Sequence, residues 1–325
     1  MPTMHAAVVS AIGTVDYREV PAPEPSEGQV IVRMQIVSIC GSDLHFVYHG
    51  WPIGDFPLDP GRPGHEGVGT VVDGGGTGFT EGDLVLTVPN IWHSRNLAEY
   101  QLIAPHFLIP LPAGHDIAHL VMAQQLGSVI FAARKLPRLS GETVVVIGQG
   151  SAGLFHDFLL RRLGAGRIIT VEPNRERREA GLALDVDAAL DVTGQAAVDA
   201  VLDLTGGAGA DVVVEAVGGI ETLNQAVGMV KPLGHIHLFG LPTSHDPVPF
   251  DLSTFFLKRL DLGTDFGAQD EPGLIAFREA LDLIVRGDID MAPFVTHRFP
   301  LAEVQDAFDL AHEPREGALK VSVTI

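Results

Sequence analysis

From Val144 onward, short apolar runs alternate with amphipathic stretches, and this alternation constrains the fold more than any other feature of the chain. Val144-Val145-Val146-Ile147 leads through a glycine turn into a stretch bearing Leu154, Phe155, Phe158 and Leu159, then into Arg167-Ile168-Ile169-Thr170-Val171-Glu172. Strand, helix and strand in that order predict βαβ units and a parallel sheet. Asp211-Val212-Val213-Val214-Glu215 and His235-Ile236-His237-Leu238-Phe239 continue as apolar runs, the pattern of strands covered on both faces. The N-terminal part has a different texture. In Gly28–Val37, the side chains of Val30, Val32, Met34 and Ile36 share one face of a strand, and the next stretch is punctuated by Gly54, Pro57, Pro60, Gly61, Pro63 and Gly64. That pattern predicts antiparallel β structure. Leu126, Val129, Ile130 and Ala133 recur at helical spacing within residues 118–136, which predicts a connecting helix ending before Pro137.

A length of 325 residues favours two domains. With 46% hydrophobic and 19% charged residues, the chain is too apolar for disorder, yet it has no apolar run long enough to span a membrane. Twenty-one Lys and Arg against 41 Asp and Glu give a net charge of −20, which argues against nucleic acid as a partner. The first residues, Met1-Pro2-Thr3-Met4-His5, carry no secretory leader, and one cysteine forms no internal disulfide, so a cytoplasmic setting is expected.

Gly148-Gln149-Gly150-Ser151-Ala152-Gly153 has the spacing GxGxxG and lies between a predicted strand and a predicted helix. Gly148, Gly150 and Gly153 permit a tight turn, close approach of a pyrophosphate and close helix packing, while Ser151 and Ala152 open the helix with free N–H groups. Glu172 lies 19 residues beyond Gly153, at the end of the next strand. A carboxylate there accepts hydrogen bonds from ribose hydroxyls and repels a 2′-phosphate, which favours NAD over NADP. Arg175, Arg177 and Arg178 nearby act in the other direction.

The only cysteine lies in Ile39-Cys40-Gly41-Ser42-Asp43-Leu44-His45, and 25 residues beyond it comes His65, with Glu66 next to it. Thiolate, imidazole and carboxylate form a zinc ligand set, and a catalytic zinc needs three protein ligands and one open position. Cys40, His65 and Glu66 meet that need if two loops converge.

In this order and spacing the chain resembles the zinc-dependent medium-chain alcohol and polyol dehydrogenases. The resemblance covers nearly the whole length, through Cys40–His45, Gly64-His65-Glu66-Gly67-Val68-Gly69, Ala98-Glu99-Tyr100, Gly148–Gly153 and Asp211–Gly218. It implies an α/β fold in which a discontinuous, antiparallel-β-rich catalytic domain (residues 1–125 and 266–325) is joined to a doubly wound Rossmann domain that binds NAD (residues 126–265). It also implies that Cys40 and His65 bind catalytic zinc, that Glu66 is a ligand or an exchangeable neighbour, and that Ser42 and His45 relay the alcohol proton outward. Lys320 is placed near the pyrophosphate, and the assembly is expected to be a homodimer or homotetramer.

Two departures are visible in the residues. Where relatives carry a further zinc ligand, this chain has Gln124, a neutral amide, which shifts weight onto Glu66. No cysteines appear in Val88–His93, so one catalytic zinc and no structural zinc is expected. Zinc would lower the pKa of a bound hydroxyl so that its carbon releases hydride to nicotinamide. The expected activity is reversible oxidation of a small-molecule alcohol or polyol. Phe46, Tyr48, Trp51, Phe56, Trp92 and His93 are candidate pocket residues. The alternatives are a zinc-free quinone or enoyl reductase of the same superfamily and a non-catalytic nucleotide-binding redox sensor.

Overall fold

The computed structural model describes residues 2–51, 54–244, 246–315 and 317–325. Two compact units emerge, one formed by Met1–Ser128 with Gly267–Ile325 and the other by Val129–Phe266. In chain order the first contains β1 (Thr3–Ala11), β2 (Thr14–Pro21), β3 (Val30–Ser38), α1 (Gly41–Tyr48), β4 (Glu66–Asp73), β5 (Leu84–Thr87), β6 (Tyr100–Ile103), β7 (Leu108–Pro110) and α2 (Ile117–Leu120). The boundary falls inside α3 (Ala123–Ala133). Then come β8 (Thr143–Ile147), α4 (Ser151–Arg162), β9 (Arg167–Val171), α5 (Arg175–Leu182), β10 (Ala188–Leu190), α6 (Gly194–Leu204), β11 (Ala210–Glu215), α7 (Ile220–Met229), β12 (Val230–Leu238), α8 (Leu252–Lys258) and β13 (Asp261–Thr264). The chain returns to the first unit with α9 (Ile275–Val285), β14 (Val295–Pro300), α10 (Val304–His312) and β15 (Lys320–Thr324).

In the second unit six parallel strands lie in the order β10-β9-β8-β11-β12-β13. The apolar runs form these strands because both faces of the sheet are covered. Val145 and Ile147 enter one buried cluster, while Val144 and Val146 enter another on the opposite face. From β8 the chain builds outward to β9 and β10, then crosses back to β11, so the strand order reverses beside β8. The carboxyl end of β8, at such a switch point, is where open α/β sheets bind ligands.

The first unit holds a β1–β2 hairpin and a sheet ordered β14-β15-β3-β4-β5-β7, with β6 also paired to β3. Pairing is antiparallel except between β14 and β15. Val30, Val32 and Met34 point into one core, as the period-two pattern predicts. An irregularity in the β3–β4 register between Met34 and Ile36 then reverses the alternation, and Val37 instead of Ile36 joins that cluster. As a result Ser38 ends β3 directly opposite Glu66 on one side and Ser322 on the other.

The connecting segment is two helices instead of one. Asp116 caps α2 through the Ala118 N–H at 2.9 Å, and a turn at Val121 and Met122 separates it from α3. Among the described residues, no helix is long and apolar enough to cross a membrane.

Candidate metal and dinucleotide sites

Cys40 caps α1, and His65 ends the loop that enters β4, so a helix start and a strand start bring the two together. The ligand atoms of Cys40, His65 and Glu66 all lie within 4.8 Å of one another. Tetrahedral zinc with bonds of about 2.0–2.3 Å needs a tighter set than this bound. Asp43, on the first turn of α1, organises the cluster. One of its oxygens accepts from the Cys40 backbone N–H at 2.9 Å. The other lies 3.0 Å from His65 Nδ1 and accepts from the Gly64 N–H at 3.2 Å. A ring held this way through Nδ1 turns Nε2 toward a metal. Burial disfavours charge on His65, but Asp43 and the Cys40 thiol more than offset it and hold the ring well above its ordinary pKa.

Glu66 and Lys320 are both buried, and the Lys320 ammonium lies 2.8 Å from one Glu66 oxygen and 3.1 Å from the other. Burial lowers the Lys320 pKa, yet the charge of Glu66, aided by Cys40 and Asp43, leaves it raised above the ordinary value. The structure therefore commits Lys320 to Glu66.

Ser42 is half-buried on α1, and His45 is 8% exposed with its ring 5.3 Å from that of His49 and 6.4 Å from that of Trp51. Of the aromatic candidates, Phe46 is wholly buried in the core and Trp51 packs against the same core. Tyr48 stacks on His312 and donates to Asp309 at 2.6 Å. Phe56, Trp92 and His93 are exposed. Gln124 is buried on the first turn of α3, and its Nε2 has no hydrogen-bond partner among the described residues.

In the second unit the glycine hexad joins the end of β8 to the start of α4, with Gly150 as the N-cap. Gly148 has φ +92°, and a Cβ on Gly153 would meet the Gly148 carbonyl oxygen at 2.0 Å, so the turn closes only without side chains at these positions. Gly150 faces open space. The arrangement leaves room where a pyrophosphate approaches a helix amino end. Ser151 is buried and Ala152 half-buried in the first turn of that helix. Glu172 is buried at the end of β9, where its two oxygens accept from the Gln149 N–H at 2.7 Å and the Asn174 N–H at 2.8 Å. Arg175 pairs with Glu179 at 2.8 Å, and Arg178 donates to the Glu172 and Pro173 carbonyls. Burial lowers the Arg177 pKa, with the charge of Glu172 opposing it.

Residues 26–113 match the alcohol dehydrogenase GroES-like domain, and residues 153–286 match the zinc-binding dehydrogenase family. An alcohol dehydrogenase of Cupriavidus necator is 28% identical over 98% of both chains. A 2-dehydro-3-deoxy-L-galactonate 5-dehydrogenase of Pseudoalteromonas atlantica is 30% identical, covering 87% of this chain and 88% of its own. The chain belongs to the zinc-dependent medium-chain dehydrogenase family. Its fold is shared with the solved alcohol dehydrogenase of Thermus sp. ATN1, which superposes with a TM-score of 0.83 at 26% identity over 99% of this chain and all of that one.

In this dehydrogenase the sequence motifs do not reveal two of the groups that shape the candidate metal site. Asp43 is visible in the sequence only as an acid three residues after a cysteine, the spacing of a helix cap. The Lys320–Glu66 pair spans 254 residues, and no local pattern announces it.

Proposed function

We propose that this dehydrogenase oxidises an alcohol or polyol to the carbonyl compound, reversibly, with hydride passing to NAD. The observation that carries the reading is the convergence of Cys40, His65 and Glu66 around one point, braced by Asp43. Sulfur, imidazole and carboxylate suit zinc, and a set of three leaves a position for substrate oxygen. When bound, zinc acidifies a coordinated hydroxyl and nicotinamide takes up hydride.

The chain's own residues do the rest. Cys40, His65 and Glu66 would hold the ion, with Lys320 restraining the Glu66 carboxylate. Ser42 passes the hydroxyl proton toward His45, an imidazole suited to neutral conditions. Gly148, Gly150 and the first turn of α4 receive the pyrophosphate, and Glu172 receives the ribose hydroxyls and disfavours a 2′-phosphate. The active form is a homodimer or homotetramer. A zinc-free reductase would have no use for this convergence of a half-buried thiol with a buried imidazole and a buried carboxylate.

Metal analysis of the purified protein, combined with a survey of alcohols and polyols with NAD and NADP, tests this reading. One zinc per chain and NAD-dependent oxidation that is lost in Cys40→Ser are expected. Turnover that survives both chelation and Cys40→Ser would overturn it.

A further inference from the structure

Strand β12 carries His235 and His237 two residues apart, so both rings leave the same face of the sheet, beside Val212 and Val214 of β11. The rings stack with their centres 5.9 Å apart and their planes 24° from parallel. His237 is wholly buried, and the His235 side chain is 10% exposed. Each ring has one nitrogen engaged by a carboxylate. His235 Nδ1 lies 2.7 Å from Asp261 Oδ2, across the pairing with β13. His237 Nε2 meets Asp265 Oδ2, and the other Asp265 oxygen is paired with the Lys135 ammonium.

The two remaining nitrogens, His235 Nε2 and His237 Nδ1, are buried and have no hydrogen-bond partner among the described residues. They border one small space. A Cβ placed on Gly263 of β13 would lie 3.2 Å from His237 Nδ1 and 3.4 Å from His235 Nε2. In a neutral imidazole the nitrogen that faces a carboxylate carries the hydrogen, so the other presents a lone pair. Two buried acceptors facing one space cost free energy unless a donor or a cation stands between them.

We infer that His235 Nε2 and His237 Nδ1 are ligands of a metal site separate from Cys40, His65 and Glu66, one that takes a late first-row divalent cation such as nickel, copper or zinc. Asp261 and Asp265 orient the rings from behind, the usual support of a liganding histidine, and water completes the shell. The spacing suits the chemistry. An imidazole nitrogen stands about 1.1 Å from its ring centre and bonds at about 2.0–2.1 Å, so a shared ion lies about 3.2 Å from each centre. Centres 5.9 Å apart fall within twice that reach. The way in is at the sheet edge, where Asp261 is 81% exposed on the outermost strand. Two protein ligands hold an ion more loosely than three, so this site fills when the cation is supplied and adds nothing to the zinc retained through purification. All these residues belong to the second unit, and the inference does not depend on the dehydrogenase reading.

Calorimetric titration of the full-length protein with divalent nickel tests this. The parent should take up one ion more per chain than Gly263→Ala, whose methyl group enters the space and leaves both rings in place, and one more than His235→Gln. Asp261→Ala should keep the site but weaken it roughly 10–100-fold. Nickel should raise the melting temperature of the parent and not of the two blocked variants. Ions held by histidines elsewhere are common to all variants and cancel. An equal nickel count in the parent and His235→Gln, the result if water alone fills the space, overturns the proposal whether or not Gly263→Ala folds. Unchanged affinity in Asp261→Ala overturns it as well.

Discussion

Asp43 Oδ1 lies 3.0 Å from His65 Nδ1, and both side chains are buried. One carboxylate thereby sets the orientation of a candidate ligand imidazole and, through its other oxygen, the start of the helix that Cys40 caps.

Replacing Asp43 with Ala should lower zinc affinity by roughly 10–100-fold, the usual cost of losing a group that orients a ligand. Competition with a chromogenic chelator measures it. Since His65 is held well above its ordinary pKa, a proton competes with the metal, and apparent affinity should fall as pH falls. Equal affinities for the parent and the variant would show that the contact serves only the helix.

Lys320→Met leaves Glu66 buried without its counter-charge and should cost about 3–5 kcal/mol in urea unfolding of the metal-free protein. Combining it with Glu66→Gln removes both charges and should recover most of the loss. A double variant as unstable as the sum of the singles would argue that the pair is not coupled.

Glu172→Ala removes the acceptor of the Gln149 and Asn174 amides. The dissociation constant for NADH should rise about tenfold, and the ratio of NADP to NAD efficiency should increase. If the ratio does not move, Glu172 does not select the cofactor.

His156 is wholly buried beside Phe239, its Nδ1 lies 2.9 Å from the Ala152 carbonyl oxygen, and burial lowers its pKa to about 4. The unfolded chain takes up a proton near pH 6.5 while the folded one does not until about 4, so stability is present above the upper value and is lost as pH falls through this window. The loss is about 3 kcal/mol in all, from a shift of roughly two to three units. His156→Leu should flatten this part of the pH profile, as read by thermal unfolding at several pH values.

The second unit is legible in the sequence because its signals are local. The Val144–Ile147 run, the hexad and Glu172 succeed one another within a single βαβ unit, and β8, α4 and β9 form where those signals lie. The first unit is less so. Strand β3 is readable up to Met34, but the bulge that hands the core position to Val37 depends on the partner strand. Cys40, His65 and Glu66 stand out by residue type, whereas Asp43 acts only after two loops fold together.

Strand β15 lies between β14 and β3, so the sheet that presents Glu66 is completed by the last of the described strands. The parallel sheet of the second unit is encoded in one continuous stretch and needs nothing from either end. During synthesis it is free to form while the first unit still waits with an open edge and an unneutralised acid. A ribosome-bound chain halted before β15 should therefore resist protease across Val129–Phe266 and be cut readily elsewhere.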